Sequence, residues 1–289
     1  MMNPCRNTTA YVVVLGIFIS GCASLTSQTA PVAFEDPHVH LGIQEVEPTA
    51  QEDAGIVLRY QYPEKGVRTY EEEMVLFNGI SGDTGKKTTL TKTHTDIYLP
   101  GTQKDTSLIT SETVFLGEKE KIYTTTEVDN RGAILSLHEG RHKTPVGLFT
   151  VTEWKRSSVF PQEAVRIGDT WTYEETMALA IKSWFVKDLD NTPLTVRARN
   201  TLKGFALLKG RRCAVIETVA LENRPYRFKI LFLTIAITMA TRIDDTLYFD
   251  YATGEEIARI TKAHSQTMHE DGRMLDELRM QGVTVRGQE

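Results

Sequence analysis

The sequence predicts a mainly β, antiparallel fold with few helices: a curved open barrel or a sandwich, built from two related half-domains. Three observations carry this. From Gly55 onward, segments rich in Val, Ile, Thr, Tyr and Phe alternate with glycine-containing turn clusters such as Asn78-Gly79, Pro100-Gly101, Lys209-Gly210 and Thr253-Gly254. Helical periodicity is weak throughout. A short motif near Thr69 also recurs near Thr172, 103 residues later, a spacing that suits duplicated half-domains better than a solenoid unit. At 289 residues, 40% hydrophobic and 25% charged, the chain can fill a sizeable core and is too apolar for disorder. A net charge of −5 without a basic stripe argues against nucleic acid, whose phosphates need concentrated Lys and Arg.

Residues 1–21 read as an export signal. Arg6 supplies the positive start, and Tyr11 to Ile19 is an apolar run of nine residues. That is less than half of the ~20 needed to span a bilayer as a helix, so a signal segment fits and a permanent anchor does not. Ile19-Ser20-Gly21-Cys22 resembles the lipobox of bacterial lipoproteins. The resemblance implies cleavage before Cys22 and acylation of its sulfur and new amino group. Several acyl chains anchor stably where one would be marginal. Ala23 follows the cysteine, which in that class points to the outer membrane, with the body facing the periplasm. Cleavage removes Cys5, one of the three cysteines. Cys213 is then the sole thiol besides Cys22, and no intramolecular disulfide can form. Its setting in Arg211-Arg-Cys-Ala-Val-Ile216 is that of a small core residue rather than a nucleophile.

Residues 22–54 are the lipidated N-terminus and a flexible tether, polar and aperiodic, whose ~30 residues as a coil would separate its ends by about 30 Å. The β-rich domain is 55–289, with half-repeats at about 55–155 and 160–285. Strands are expected at 56–62, 67–77, 87–98, 107–116, 120–128, 132–139, 147–154, 169–181, 193–207, 211–221, 225–239, 243–250 and 255–270. The threonine density of 84–126 suits strands with one wet face. Residues 174–187 fit an amphipathic helix or a strand equally well. Residues 228–239 form the most apolar stretch after the signal. As one strand they place Leu231, Leu233, Ile235, Ile237 and Met239 on a single face, covered by core or lining a greasy pocket.

The repeated motif is Thr69-Tyr-Glu-Glu-Glu-Met74 and Thr172-Tyr-Glu-Glu-Thr-Met177, each shortly after a glycine. Later in each half a strand ends in an aspartate-glycine turn, Asp129 to Gly132 and Asp250 to Gly254. Pro161, Val165 and Gly168-Asp169-Thr170-Trp171 describe a tight turn opening a strand with a large side chain to bury. This segment resembles the corresponding opening in uncharacterised β-rich envelope lipoproteins, and distantly the lipoprotein-carrier superfamily. That resemblance implies a half-barrel sheet with an acyl-binding concavity, and fixes no ligand-contacting residue here.

Chemical motifs are sparse. His138-Glu139-Gly140-Arg141-His142 matches the H-E-x-x-H of zinc peptidases, in which a helix aligns two ligands and the glutamate polarises bound water. Gly140 and Pro145 work against that helix, Ala133 to Leu137 look like a strand, and nothing fixes Glu153 or Glu163 as a third ligand. Asp36-Pro-His38-Val-His40 lies in the tether and lacks the βα alternation that amidohydrolase metal sites need. Thr144 to Phe149 superficially resembles L,D-transpeptidases without their nucleophile signature. Adjacent glutamates at 71–73 and 174–175 point to opposite faces of a strand. The expectation is therefore a non-enzymatic lipoprotein, held to the bilayer through Cys22, with no cofactor and no metal. It would bind a lipid or apolar ligand or serve a structural role in the envelope. The alternatives are a zinc hydrolase using His138, Glu139 and His142, and a protein–protein module.

Overall fold

The computed structural model describes residues 41–80, 86–116, 121–138, 145–146, 149–150, 158–177, 182–183, 186–187, 194–230 and 233–287. In chain order these form β1 (Gln44–Val46), α1 (Ala50–Ala54), β2 (Gly66–Ile80), β3 (Lys86–Pro100), β4 (Thr106–Phe115), β5 (Lys121–Asp129) and β6 (Ile134–His138). Four short pieces surround the next full strand: β7 (Pro145–Val146), β8 (Phe149–Thr150), β9 (Thr170–Met177), β10 (Lys182–Ser183) and β11 (Val186–Lys187). The long strands β12 (Leu194–Leu208), β13 (Arg211–Ile230), β14 (Leu233–Asp250), β15 (Glu255–His269) and β16 (Met274–Arg286) complete the chain. Thirteen strands make one open antiparallel sheet, ordered β1-β12-β13-β14-β15-β16-β2-β3-β4-β5-β6, with β9 also on β12 and β11 on β13. β7, β8 and β10 form a separate small sheet.

The mainly β, antiparallel fold is as expected, and the sheet is open rather than closed or sandwiched. Two meanders, β2 to β6 and β12 to β16, are fused because β2 pairs with β16 from Asp276↔Ile80 to Arg286↔Tyr70. Period-two burial specifies this strand: Arg68, Tyr70 and Met74 are buried while Val67, Glu71 and Glu73 are exposed. The motif at Thr69 lies in β2 and its second copy in β9, the strand that precedes the second meander.

The sheet has two ends. At its base lie the β3–β4, β5–β6, β12–β13 and β14–β15 turns; at its tips lie the β2–β3, β4–β5, β13–β14 and β15–β16 connections. Residues 56–62, expected as a strand, instead cross one face of the base, here called the front. One isolated bridge, Ile56↔Val165, ties them to the neighbouring crossing segment. Their backbone partners are turns: the Tyr60 N–H donates to the Asn130 carbonyl at 2.8 Å, and the Gln61 N–H to the Gly254 carbonyl at 3.0 Å. Phe160 N–H donates to the Arg131 carbonyl at 2.9 Å. The two aspartate-glycine turns are thus the sites that receive the crossing chain. Both glycines have positive φ, 92° at Gly132 and 64° at Gly254. A Cβ at Gly254 would stand 2.4 Å from the Gln61 nitrogen, and one at Gly132 2.6 Å from the Ser158 carbonyl oxygen, so only glycine admits the crossing segments so closely.

The front core joins Ile56, Leu58, Tyr60, Phe160 and Val165 of the crossing segments to Leu202, Phe205, Ala214, Ile216, Leu247 and Phe249 of the sheet. Each large side chain buried here contributes roughly 1.5–3 kcal/mol. Trp171 packs on this core and its Nε1–H donates to the Val159 carbonyl at 2.7 Å, the burial expected of it. On the back face Ala206, Leu208, Cys213, Tyr248, Ile257, Ala258 and Ile260 form a second core, covered by Leu41 and Ile43.

Three sequence expectations change. β1 and α1 fall inside the stretch 22–54 read as tether, so the packed body reaches back to Leu41. Thr49 and Glu52 close a capping box around the start of α1, and this spacing was a readable signal. The apolar stretch 228–239 is not one strand: its described residues belong to two antiparallel strands, with Phe228↔Ile235, Lys229↔Thr234 and Ile230↔Leu233 in register. Pro225, the first residue of the strand expected at 225–239, sits inside β13 opposite Thr238. Of 174–187, the described residues are strand, in β9, β10 and β11.

Candidate functional site

The front face of the base carries a stack of rings. Phe160 and Tyr60 lie 4.9 Å apart between centroids, Tyr60 and Tyr62 5.4 Å, and Tyr62 and Tyr98 5.8 Å, with interplanar angles of 18°, 5° and 23°. The Arg68 guanidinium caps the stack, 5.1 Å from the Tyr98 centroid. β3 presents Tyr98 on the same face as His94 and Asp96, because alternate residues share a face. Beneath the rings is a cavity of about 20 Å³, bordered by Tyr60, Tyr62, Arg68, Tyr70, Tyr98 and Glu256 among others. That is room for about one water molecule. Burial pushes the Tyr62 and Tyr98 phenols well above their ordinary values, so both hydroxyls keep their protons.

From this cavity a polar row runs up the front face. Asp96 is fully buried. It accepts from Ser111 Oγ at 2.7 Å and from the Tyr98 hydroxyl at 3.1 Å, and it faces His94 Nε2 at 2.7 Å. His94 Nδ1 lies 2.9 Å from Thr113 Oγ1. Cross-strand register produces the cluster, since His94 is opposite Thr113 and Asp96 opposite Ser111. An acid, an imidazole and a hydroxyl in line can relay a proton. Here the hydroxyl belongs to a buried threonine, and the adjoining cavity admits nothing larger than water. The row satisfies the Asp96 carboxylate through Ser111 and Tyr98, whereas His94 Nε2, though 2.7 Å from Asp96 Oδ1, makes no hydrogen bond of good geometry.

Below the ring stack a charged network closes the base. Glu255 pairs with Arg68 at 2.8 Å, with Arg211 at 2.7 Å and with Arg286, and Arg211 also reaches Asp250 at 2.7 Å. Burial disfavours the Glu255 carboxylate, but the Arg211 hydrogen bond and the charges of Arg68 and Arg286 outweigh it and hold its pKa below the usual range. Arg259 is likewise held charged: burial opposes the cation, and Glu256 and Asp245 more than offset it. On α1, Glu52 accepts from Arg212 Nε at 2.7 Å and from the Tyr251 hydroxyl at 2.6 Å. The Arg212 hydrogen bond lowers the Glu52 carboxyl to about 2, against the opposing effect of burial and with help from Tyr251 and Thr49.

The residues singled out by sequence fall elsewhere. Cys22 lies outside the described residues, as do Glu139 and His142; His138 closes β6. Among the described residues no group of three or more His, Cys, Asp or Glu is placed to hold a metal ion. Burial pushes the Cys213 thiol up to about 12, as befits a core residue. Glu71 and Glu73 are exposed, Glu72 pairs with Lys92 at 3.3 Å, and Glu174 accepts from Arg197 Nε at 2.8 Å. Sequence reasoning missed Asp96 and His94. Their alternation with Tyr98 in a threonine-rich strand marks a polar inner face, but only the register with Ser111 and Thr113 shows that they meet.

No family model and no curated protein matches the chain. Solved structures with some likeness include OmpT of Vibrio cholerae, an outer membrane protein, at 8% identity and a TM-score of 0.26, covering 78% of this chain and 100% of that one. A mutant Rh. blastica porin has 8% identity and a TM-score of 0.23, covering 77% and 100%. Salmonella typhi OmpF in complex with daunomycin has 8% identity and a TM-score of 0.23, covering 80% and 100%. At such scores the likeness amounts to long antiparallel strands and assigns neither fold family nor function.

Proposed function

We propose that this protein is a lipid-anchored, non-enzymatic scaffold of a bacterial envelope, acylated at Cys22, facing the periplasm and held to the outer membrane. The anchor rests on the order of charge, apolar run, small residues and cysteine in residues 6–22. The observation that supports the structural role is the filled base: among the described residues, a ring stack and a charged network leave there a cavity of about 20 Å³, where a buried substrate or acyl chain would need far more. A second reading, an apolar-ligand carrier, is favoured by the resemblance of the Gly168 to Trp171 segment to envelope lipoproteins and by the apolar residues that the register gathers at the end of the β13–β14 hairpin.

Intact mass of the protein from its native host tests the anchor, which requires acyl groups on residue 22. Native mass spectrometry of residues 23–289 distinguishes the two readings. Co-purified lipid, released by Ile235→Glu without unfolding, replaces the scaffold with a carrier. Stoichiometric zinc, lost in His138→Ala, replaces both with a hydrolase. The scaffold requires neither, together with a stable envelope partner recovered by crosslinking.

A further inference from the structure

We infer that the back face of the sheet is a self-complementary interface on which a second copy of this chain docks. The face carries two exposed patches whose free charges are of opposite sign. On the first meander, Val67 lies opposite Ile97, Glu71 opposite Thr93 and Glu73 opposite Thr91. These residues share the face of Val285, which is in register with Glu71 and packs on the back core. Val67 is 55% exposed, Ile97 40% and Leu99 42%, and Glu71, Glu73, Thr91 and Thr93 are exposed with them. On the second meander, one row across the strands is Arg197, Leu221 and Arg242, and the next is Arg199, Val219, Asp244 and Lys262. Alternation puts Val219 and Leu221 on the face of Val215, which also packs on the back core. Leu221 is 61% exposed, and the four basic residues around it are exposed as well.

Each patch is thus an apolar centre with a charged margin. Arg197 is engaged by Glu174 and Arg242 by Asp244, both at 2.8 Å. Among the described residues Arg199 and Lys262 have no carboxylate partner, and Glu71 and Glu73 have no cationic one. The free charges left on the face are therefore acidic on one meander and basic on the other. Opposed margins of this kind fix register and exclude wrong partners. The acidic patch disfavours an anionic surface, and the basic patch of a second copy supplies the charge it lacks. Flat strands rich in β-branched residues also lose little side-chain freedom when they pack face to face. The two patches lie on either side of the β16–β2 junction. A two-fold axis along the strands near that junction lays the acidic patch of each copy over the basic patch of the other. Both contacts then form at once and the assembly closes as a dimer. Leu41 and Ile43 cover the back core nearer the β12–β13 turn, so the second patch stands clear of that cover. None of this depends on the anchor at Cys22.

The test is sedimentation equilibrium of residues 23–289, which keep every packed residue described above. A dimer that dissociates on dilution and weakens as salt rises is expected. Glu71→Lys with Glu73→Lys, and Arg199→Glu with Lys262→Glu, should each weaken it roughly a hundredfold. An equimolar mixture of these two double variants should recover the dimer, because the reversed patches match each other while the unchanged ones still match. A variant that had lost its fold would not be recovered by mixing. Leu221→Ser should weaken the dimer roughly fivefold with an unchanged melting curve. Val57→Ser, exposed (53%) on the front of the base, should behave as wild type. A wild-type protein that stays monomeric at about 100 μM overturns the interface. So does a dimer indifferent to the charge reversals, or two reversed variants that stay monomeric when mixed. Dimerisation lost in Val57→Ser but kept in Leu221→Ser would move the contact to the front and overturn it as well.

Discussion

The base and the tips of this sheet are made of the same strands and solve opposite problems. At the base, strand ends are covered on the front by residues 56–62 and 158–165 and on the back by Leu41 and Ile43, and nearly every charge has a partner. At the tips, the same strands run on with Leu116, Leu221 and Met274 exposed. The difference teaches that strand length alone does not set stability here. The base is fixed by non-local cover whose contacts span a hundred residues or more, as in Arg59 to Pro161 and Glu52 to Arg212, whereas among the described residues the far strand ends are held by cross-strand pairing. Hydrogen exchange should therefore be slowest in the strands under the crossing segments and faster toward the opposite strand ends.

The largest effect is expected where the cover is thickest. Phe160 is 1% exposed and packs between Tyr60 (stacked, 4.9 Å between centroids) and Phe249 (tilted, 4.7 Å). Phe160→Ala should cost about 3–5 kcal/mol in urea unfolding. Gly254→Ala should cost a comparable amount, because its methyl meets backbone at 2.4 Å and its φ is positive. If either variant unfolds at the wild-type midpoint, the base is not the stabilising end.

A smaller effect should distinguish charge from packing. Glu52 is folded with a pKa of about 2, below its ordinary 4.5. A group depressed in the folded state stabilises it above the unfolded pKa and loses that contribution as pH falls. The Glu52 clasp should therefore be complete above about pH 5 and fade between pH 4 and 2, a total of roughly 2–3 kcal/mol. Glu52→Gln should lower stability at pH 7 by about that much and flatten this limb of the pH profile. A variant that keeps the wild-type acid limb would show that α1 is held by packing alone.

Much of this architecture is legible in the sequence, and the gaps have physical causes. The alternation in Gly66–Ile80 and the glycine turns at 132 and 254 are local patterns, and the structure uses them as read. Residues 56–62 have strand composition but no strand partner, because their N–H groups are taken by turns that the sequence places 70 and nearly 200 residues away. The reversal between β13 and β14 has no turn residue to announce it; Ile230-Leu-Phe-Leu233 reads as continuous strand, and only the antiparallel register shows that Ile230 and Leu233 are partners. Pro225 is tolerated in β13 because, among the described residues, it has a strand partner on one side only, Thr238, and an edge position needs no second ladder hydrogen bond. The Asp96 and His94 cluster is invisible in the sequence because register between two strands, not spacing along one, brings its members together.

The smallest effect should come from the tips, and its smallness is the point. Leu116→Ser removes an 82% exposed side chain from a position with almost no packing to lose, so urea unfolding should shift by no more than about 0.5 kcal/mol. Met274→Ser, at 43% exposure, should fall between that value and about 1 kcal/mol. A core leucine truncated in the same way would cost several times more. If Leu116→Ser instead destabilises by 2 kcal/mol or more, the β4–β5 hairpin is packed against something in the free protein. The contrast between a covered base and a bare tip would then no longer hold at that hairpin.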